Sequence, residues 1–161
     1  MQHVMRQSSL GWLNAIQHKV LKVSLFLMLI ASFWFTAGVQ AEQKKQLGDW
    51  DIHYIAFNST FLTPDVARAA NLSRNKNNAI INISVLDTQT QQAQAVTIGG
   101  IARNLLGQQR DLVFREIKDG DAIYYIAVMP FRNEEQLRFS LDIRQGTKRQ
   151  QLNFEQKLYT E

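Results

Sequence analysis

The chain of 161 residues contains no cysteine. That absence excludes disulfides, thiolate metal ligands, a thiol nucleophile and a lipid-modified cysteine. Histidine is nearly as scarce. Of three, His3 and His18 fall within the first 41 residues and leave His53 alone for any later site. Zinc asks for several His or Cys ligands, no Asp-rich loop matches a calcium site, and no GxSxG-type elbow marks a nucleophile. The sequence therefore supplies no catalytic residues, no metal ligands and no cofactor-binding motif, and an enzyme is the less favoured reading. A Ser-His-acid arrangement would have to combine His53 with Asp51 and one of Ser59, Ser84 or Ser140. The adjacent acids Glu134 and Glu135 lie in the turn "PFRNEEQ", where such pairs are normally solvated.

Excess charge is also missing once the leader is set aside. The whole chain carries 18 Lys and Arg against 14 Asp and Glu, for a net +4. Residues 1–41 hold Arg6, Lys19 and Lys22 and no acid, which leaves 15 against 14 for the remainder. Nucleic-acid binding needs clustered cationic charge to neutralise phosphates, and none is expected here.

Those first residues read as an export signal. A basic start precedes the 17-residue apolar run "VSLFLMLIASFWFTAGV" (residues 23–39), and Val39 and Ala41 place small residues at the −3 and −1 positions. Cleavage after Ala41 is expected, with translation beginning at Met1 or Met5. An uncleaved N-terminal anchor is the alternative, because the run is at the short end of what spans a bilayer. Cleavage would leave no membrane span. Export without cysteine favours a bacterial periplasm over a eukaryotic secretory route. Residues 42–161 are then one domain, long enough to bury a core without staples.

What is present from Trp50 onward is alternation. Trp50, Ile52, Tyr54 and Ala56 share one face, opposite Asp51 and His53. In "QLRFSLDI", Leu137, Phe139, Leu141 and Ile143 alternate with Arg138, Ser140, Asp142 and Arg144. Period-2 runs between regular turns predict an all-β, single antiparallel β-sandwich of about seven strands, immunoglobulin-like in architecture. Asp119-Gly120 and Gly146 mark hairpins. Gly99-Gly100 reads as a bulge or bend at a sheet edge rather than a phosphate cradle.

One stretch departs from the pattern. In "AFNSTFLTPDVARAANLSRNKN" (residues 56–77), Thr63 reads as an N-cap, Pro64 as the first helical residue and Asp65 as an acid suited to the helix dipole. A helix near residues 63–71 is expected in this crossover, with Val66, Ala69 and Ala70 inward. Phe61, Leu62 and Leu72 are expected to dock it on the sandwich. A polar rim of Asn58, Ser59, Thr60, Arg74, Asn75 and Lys76, together with His53 and Tyr54, is the candidate binding site.

The motifs "HYIAFNSTFLTP" and "LVFREIKDGDAIYYIA", with "NEEQLRF" and a final "LNFEQKLY", resemble the exported proteobacterial family known as domain-of-unknown-function family 4426. The resemblance covers roughly residues 46–160. It implies a periplasmic, mostly β protein of a gammaproteobacterium and supplies no activity. The expectation is a small periplasmic binding or interaction module with a protein partner of the periplasm or envelope. The alternative is a small-ligand carrier or non-metal enzyme with a pocket beside residues 57–77.

Overall fold

In a computed structural model of the chain, residues 43–160 are described. The leader, its cleavage after Ala41 and the anchor alternative lie outside them. Among the described residues no helix is long and apolar enough to cross a membrane.

The described residues form nine strands, one short α-helix and a 3-10 turn. In chain order they are β1 (Gln43–Leu47), β2 (Trp50–Asn58), the 3-10 turn (Ser59–Phe61), α1 (Pro64–Ala69), β3 (Asn78–Asp87), β4 (Thr97–Asn104), β5 (Gln109–Val113), β6 (Arg115–Asp119), β7 (Ala122–Pro130), β8 (Glu135–Gln145) and β9 (Lys148–Leu158). They build two antiparallel sheets, ordered β1-β2-β3-β7-β6 and β5-β4-β8-β9. The expected two-layer sandwich is correct.

The seven anticipated strands become nine for two reasons. β1 (QKKQL) has no apolar alternation and forms because the Gly48-Asp49 turn folds it back onto β2, pairing Leu47 with Trp50. The stretch "DLVFREI" divides at Phe114. β5 pairs with β4 in one sheet, while β6 pairs with β7 in the other. Phe114 packs against the core at this corner, where the strand leaves one layer for the other.

The core lies between the sheets. Trp50, Ile52, Tyr54 and Ala56 of β2 and Ala79, Ile81, Ile83 and Val85 of β3 face the alternating Leu137, Phe139, Leu141 and Ile143 of β8. Period-2 patterning thus fixes the inward face. Gly120, at a φ of 57°, begins the tight turn joining β6 to β7, a backbone conformation that favours glycine.

Gly99 and Gly100 correct an expectation. They sit inside β4, a central strand paired regularly to β5 and β8, with neither bulge nor edge. A Cβ on Gly100 would stand 2.4 Å from the Ser140 carbonyl oxygen and 2.9 Å from Leu141 Cα, whereas one on Gly99 would meet nothing within 4 Å. Close backbone approach is what requires glycine here. Gly100→Ala is expected to destabilise by about 1–3 kcal/mol through overpacking. Gly99→Ala should stay within about 0.5 kcal/mol of the parent. Urea midpoints of the two variants check the contrast.

Candidate functional site

β2 and β3 are antiparallel neighbours that a tight turn could join, yet residues 59–77 make a long excursion between them. Long connections inside small domains are usually functional, so the local chemistry of this one matters.

Its two ends are stapled together. Asn58 is 2% exposed, and its Nδ2 donates to the Lys76 and Tyr159 carbonyl oxygens, each at 2.8 Å. Its Oδ1 accepts from the Thr60 N–H at 3.0 Å and the Thr60 hydroxyl at 2.9 Å. Ser59 is fully buried; its hydroxyl donates to the Asn75 carbonyl oxygen and accepts from the Asn75 N–H, both at 2.8 Å. Arg74 Nη2 donates to the Thr60 carbonyl oxygen at 2.9 Å. The Asn75 side chain accepts from the Asn77 N–H at 2.9 Å. Of the expected binding rim, Asn58, Ser59, Thr60, Arg74 and Asn75 form a clip whose side chains engage the backbone and one another, and Lys76 takes part through its carbonyl oxygen. Buried polar groups have to be paired, and these pair with one another.

Between the clip's halves stands α1. Thr63 Oγ1 accepts from the Val66 N–H, Pro64 occupies the first turn, and Asp65 pairs with Arg68, as the sequence indicates. The helix ends at Ala69 with Ala70 as its C-cap, and the next residue, Asn71, has a φ of 50°. The Leu72 N–H reaches back to the Ala67 carbonyl oxygen and the Asn71 N–H to that of Arg68, the two bonds of a Schellman cap. From the sheet's far edge, Arg115 of β6 donates to the Ala70 carbonyl oxygen at 2.6 Å.

This arch does not seat tightly. Only Ala67 of the helix is buried, while Val66 and Phe61 are exposed, the latter 73%. Phe61 therefore does not dock the helix as anticipated. Val66, Ala69 and Ala70 do face the sheet, but across a hollow of about 510 Å³. Leu62 and Leu72 complete the arch side, and Phe57, Ile80, Asn82 and Ile126 form the floor on the outer face of the five-stranded sheet. Ile117, Lys118, Asp119 and Tyr124 line the remaining side. Asn82 stands in register with Ile55 on β2 and Ile126 on β7, so an amide is set into an apolar row. Its Oδ1 is buried and has no hydrogen-bond partner among the described residues.

The floor residues went unremarked in the sequence, although a signal was present. Ile55 and Phe57 on β2, Ile80 on β3 and Tyr124 and Ile126 on β7 are apolar on the face opposite the core. Strands apolar on both faces need cover on both.

The remaining candidates lie elsewhere. Tyr54 faces the core and packs on Phe154 with ring centroids 4.7 Å apart, so it is no part of the hollow. His53 is half-buried on the outer face, in register with Ser84. The Ser84 hydroxyl is committed to the Ile123 carbonyl oxygen at 3.1 Å. Asp51 is held by Lys44 Nζ at 2.8 Å and Gln91 Nε2 at 3.0 Å. Those hydrogen bonds, Lys44 first, keep its carboxyl below the usual range despite the opposing pull of desolvation. The Ser84 and Asp51 side chains are each committed to groups other than His53. Glu135, expected to be solvated beside Glu134, is instead buried. It binds Asn104 Nδ2 at 2.9 Å, Arg110 at 3.1 Å and the Arg132 N–H at 2.8 Å.

No curated protein matches the chain. Among solved structures, a DUF4426 family protein from Pseudomonas aeruginosa is 32% identical with a TM-score of 0.66, covering 76% of this chain and 98% of its own. FetP of uropathogenic Escherichia coli, expressed recombinantly in the periplasm, is 11% identical with a TM-score of 0.54, covering 74% and 94%. A copper-bound variant of FetP is 12% identical with a TM-score of 0.53, covering 73% and 94%. At that identity the likeness to FetP is one of fold. Residues 44–161 match the family profile described as Domain of unknown function (DUF4426), and the chain belongs to that family.

Proposed function

We propose that this protein is an exported, periplasmic binding module that takes an apolar small molecule in the hollow beneath α1. The observation that carries the reading is the hollow itself, about 510 Å³ and walled mainly by aliphatic and aromatic side chains. That volume is within the range of small-ligand sites. The clip supports the same reading, since it fixes both ends of the arch and holds the space open. Export rests on the basic, then apolar leader of residues 1–41. Copper, which the FetP variant carries, finds no cluster of three or more His, Cys or carboxylate ligands among the described residues.

The test is equilibrium binding of N-phenylnaphthylamine, whose fluorescence rises in apolar surroundings, to the purified exported protein. Ala69 is exposed on α1 and faces the hollow, so Ala69→Trp fills the space without touching the core. It is expected to weaken binding by about tenfold or more, equivalent to about 1.4 kcal/mol. Equal binding by parent and variant would place the site elsewhere.

A further inference from the structure

The floor of the hollow contains one group that does not belong there on packing grounds. Asn82 lies at the centre of the outer face, between Ile55 and Ile126 across the sheet and next to Ile80 along the hollow's floor. Asparagine is disfavoured in strands, and a β-branched apolar residue would suit this row better. Its Oδ1 is buried without a partner among the described residues, a situation that disfavours the folded state. The neighbouring hydroxyl of Ser84 cannot relieve it, because its proton goes to the Ile123 carbonyl oxygen. The polar groups of the clip are engaged with one another. The charge at the mouth is also balanced. Lys118 pairs with Glu116 at 3.3 Å, and Asp119 lines the hollow beside it. Among the described residues that line the hollow the one cation, Lys118, is thus opposed, so a ligand carboxylate would find no unopposed cation in the lining.

Resting on the reading of the hollow as a binding site, we propose that its ligand is an uncharged aliphatic amphiphile. Its hydroxyl or amide N–H donates to Asn82 Oδ1. The aliphatic body lies against Phe57, Ile80 and Ile126, and the donor points to the floor. Asn χ2 is a broad torsion, so the amide turns its oxygen toward the hollow without a change of rotamer at χ1. The ligand then satisfies the acceptor that the fold leaves open, and a hydrocarbon of the same length does not.

Competition against bound N-phenylnaphthylamine separates these ideas. Octanol, chlorooctane and octanoate have similar bodies and differ in the head group. On the parent protein at a pH of about 8, where octanoate is ionised, octanol is expected to compete about tenfold better than either of the others, the size of one net hydrogen bond. Asn82→Leu should keep its affinity for chlorooctane and lose the preference for octanol. Asn82→Thr, which retains a hydroxyl acceptor on a good strand former, should recover part of it. Thermal melts of both variants should be no lower than the parent, since no internal hydrogen bond of Oδ1 is removed. Equal competition by octanol and chlorooctane on the parent, or a preference that survives in Asn82→Leu, would overturn the assignment while leaving the hollow as a binding site. Probe binding that is absent, or unaffected by Ala69→Trp, would remove the site and this inference with it.

Discussion

Phe139→Ala is expected to lower the free energy of unfolding by about 3–5 kcal/mol. Phe139 is 1% exposed on β8, a central strand flanked by β4 and β9. Its ring stacks on Phe154 of β9 with centroids 4.6 Å apart and an interplanar angle of 12°. Phe154 in turn touches Tyr54 of β2, which belongs to the opposite sheet. The three rings therefore join the layers, and aromatic pairs of this kind add to area burial. Truncation to alanine removes the transfer free energy of the ring and leaves a cavity between two sheets, which cannot close the gap without losing register. The result should be a fall in melting temperature of roughly 10 °C or more for a domain of this size. The urea midpoint should fall while the slope is retained. Phe139→Leu, which keeps most of the volume, should cost about 1.5 kcal/mol or less. An unchanged melting temperature in the alanine variant would show that this face of β8 does not build the core.

The same alternation that points to Phe139 made most of the sandwich legible. Period-2 patterning in β2, β3 and β8 sorts each side chain to one face or the other, and those assignments hold at Trp50, Ile81 and Leu141. It says nothing about which sheet a strand joins. The division of one stretch at Phe114 was hidden for that reason: an inward residue at a corner has the same signature as one within a strand. β1 was missed because an edge strand can be written in lysine and glutamine, which guard it against further pairing. The helix was readable from Thr63 and Pro64, because capping is local chemistry. Its loose seating was not, because the gap beneath it depends on Asn58, Ser59 and Arg115 acting from three separate places. Polar residues near a loop suggested a rim. Burial turned Asn58 and Ser59 into structural staples, and the candidate site is the hollow on the apolar face beside them.

Glu135 shows the same effect of burial on a charge. Arg110→Met is expected to destabilise the protein by about 3 kcal/mol at neutral pH, the lower end for breaking a buried ion pair. The Glu135 side chain is 8% exposed and that of Arg110 23%, so the carboxylate pays most of the desolvation. Both Arg110 Nη atoms lie 3.1 Å from Glu135 Oε1, and methionine preserves the aliphatic stem while removing both donors. Burial pushes the Glu135 pKa up, but the Arg132 N–H, the Asn104 amide and the Arg110 guanidinium outweigh it and hold the carboxyl below its ordinary value. On acidification the unfolded chain therefore binds the proton first. The contribution of Glu135 is complete above the unfolded pKa of about 4.3 and is lost as pH falls through the lower folded value. In Arg110→Met the folded pKa rises, so the variant loses less on acidification. The gap between parent and variant should narrow steadily from about pH 6 to pH 3. Glu135→Gln in the Arg110→Met background removes the unpaired charge and should restore part of the stability, giving a clear coupling in the double-mutant cycle. Urea unfolding at several pH values measures all of this. A gap that stays constant or widens toward acid would mean that the Glu135 carboxylate is not what Arg110 holds in place.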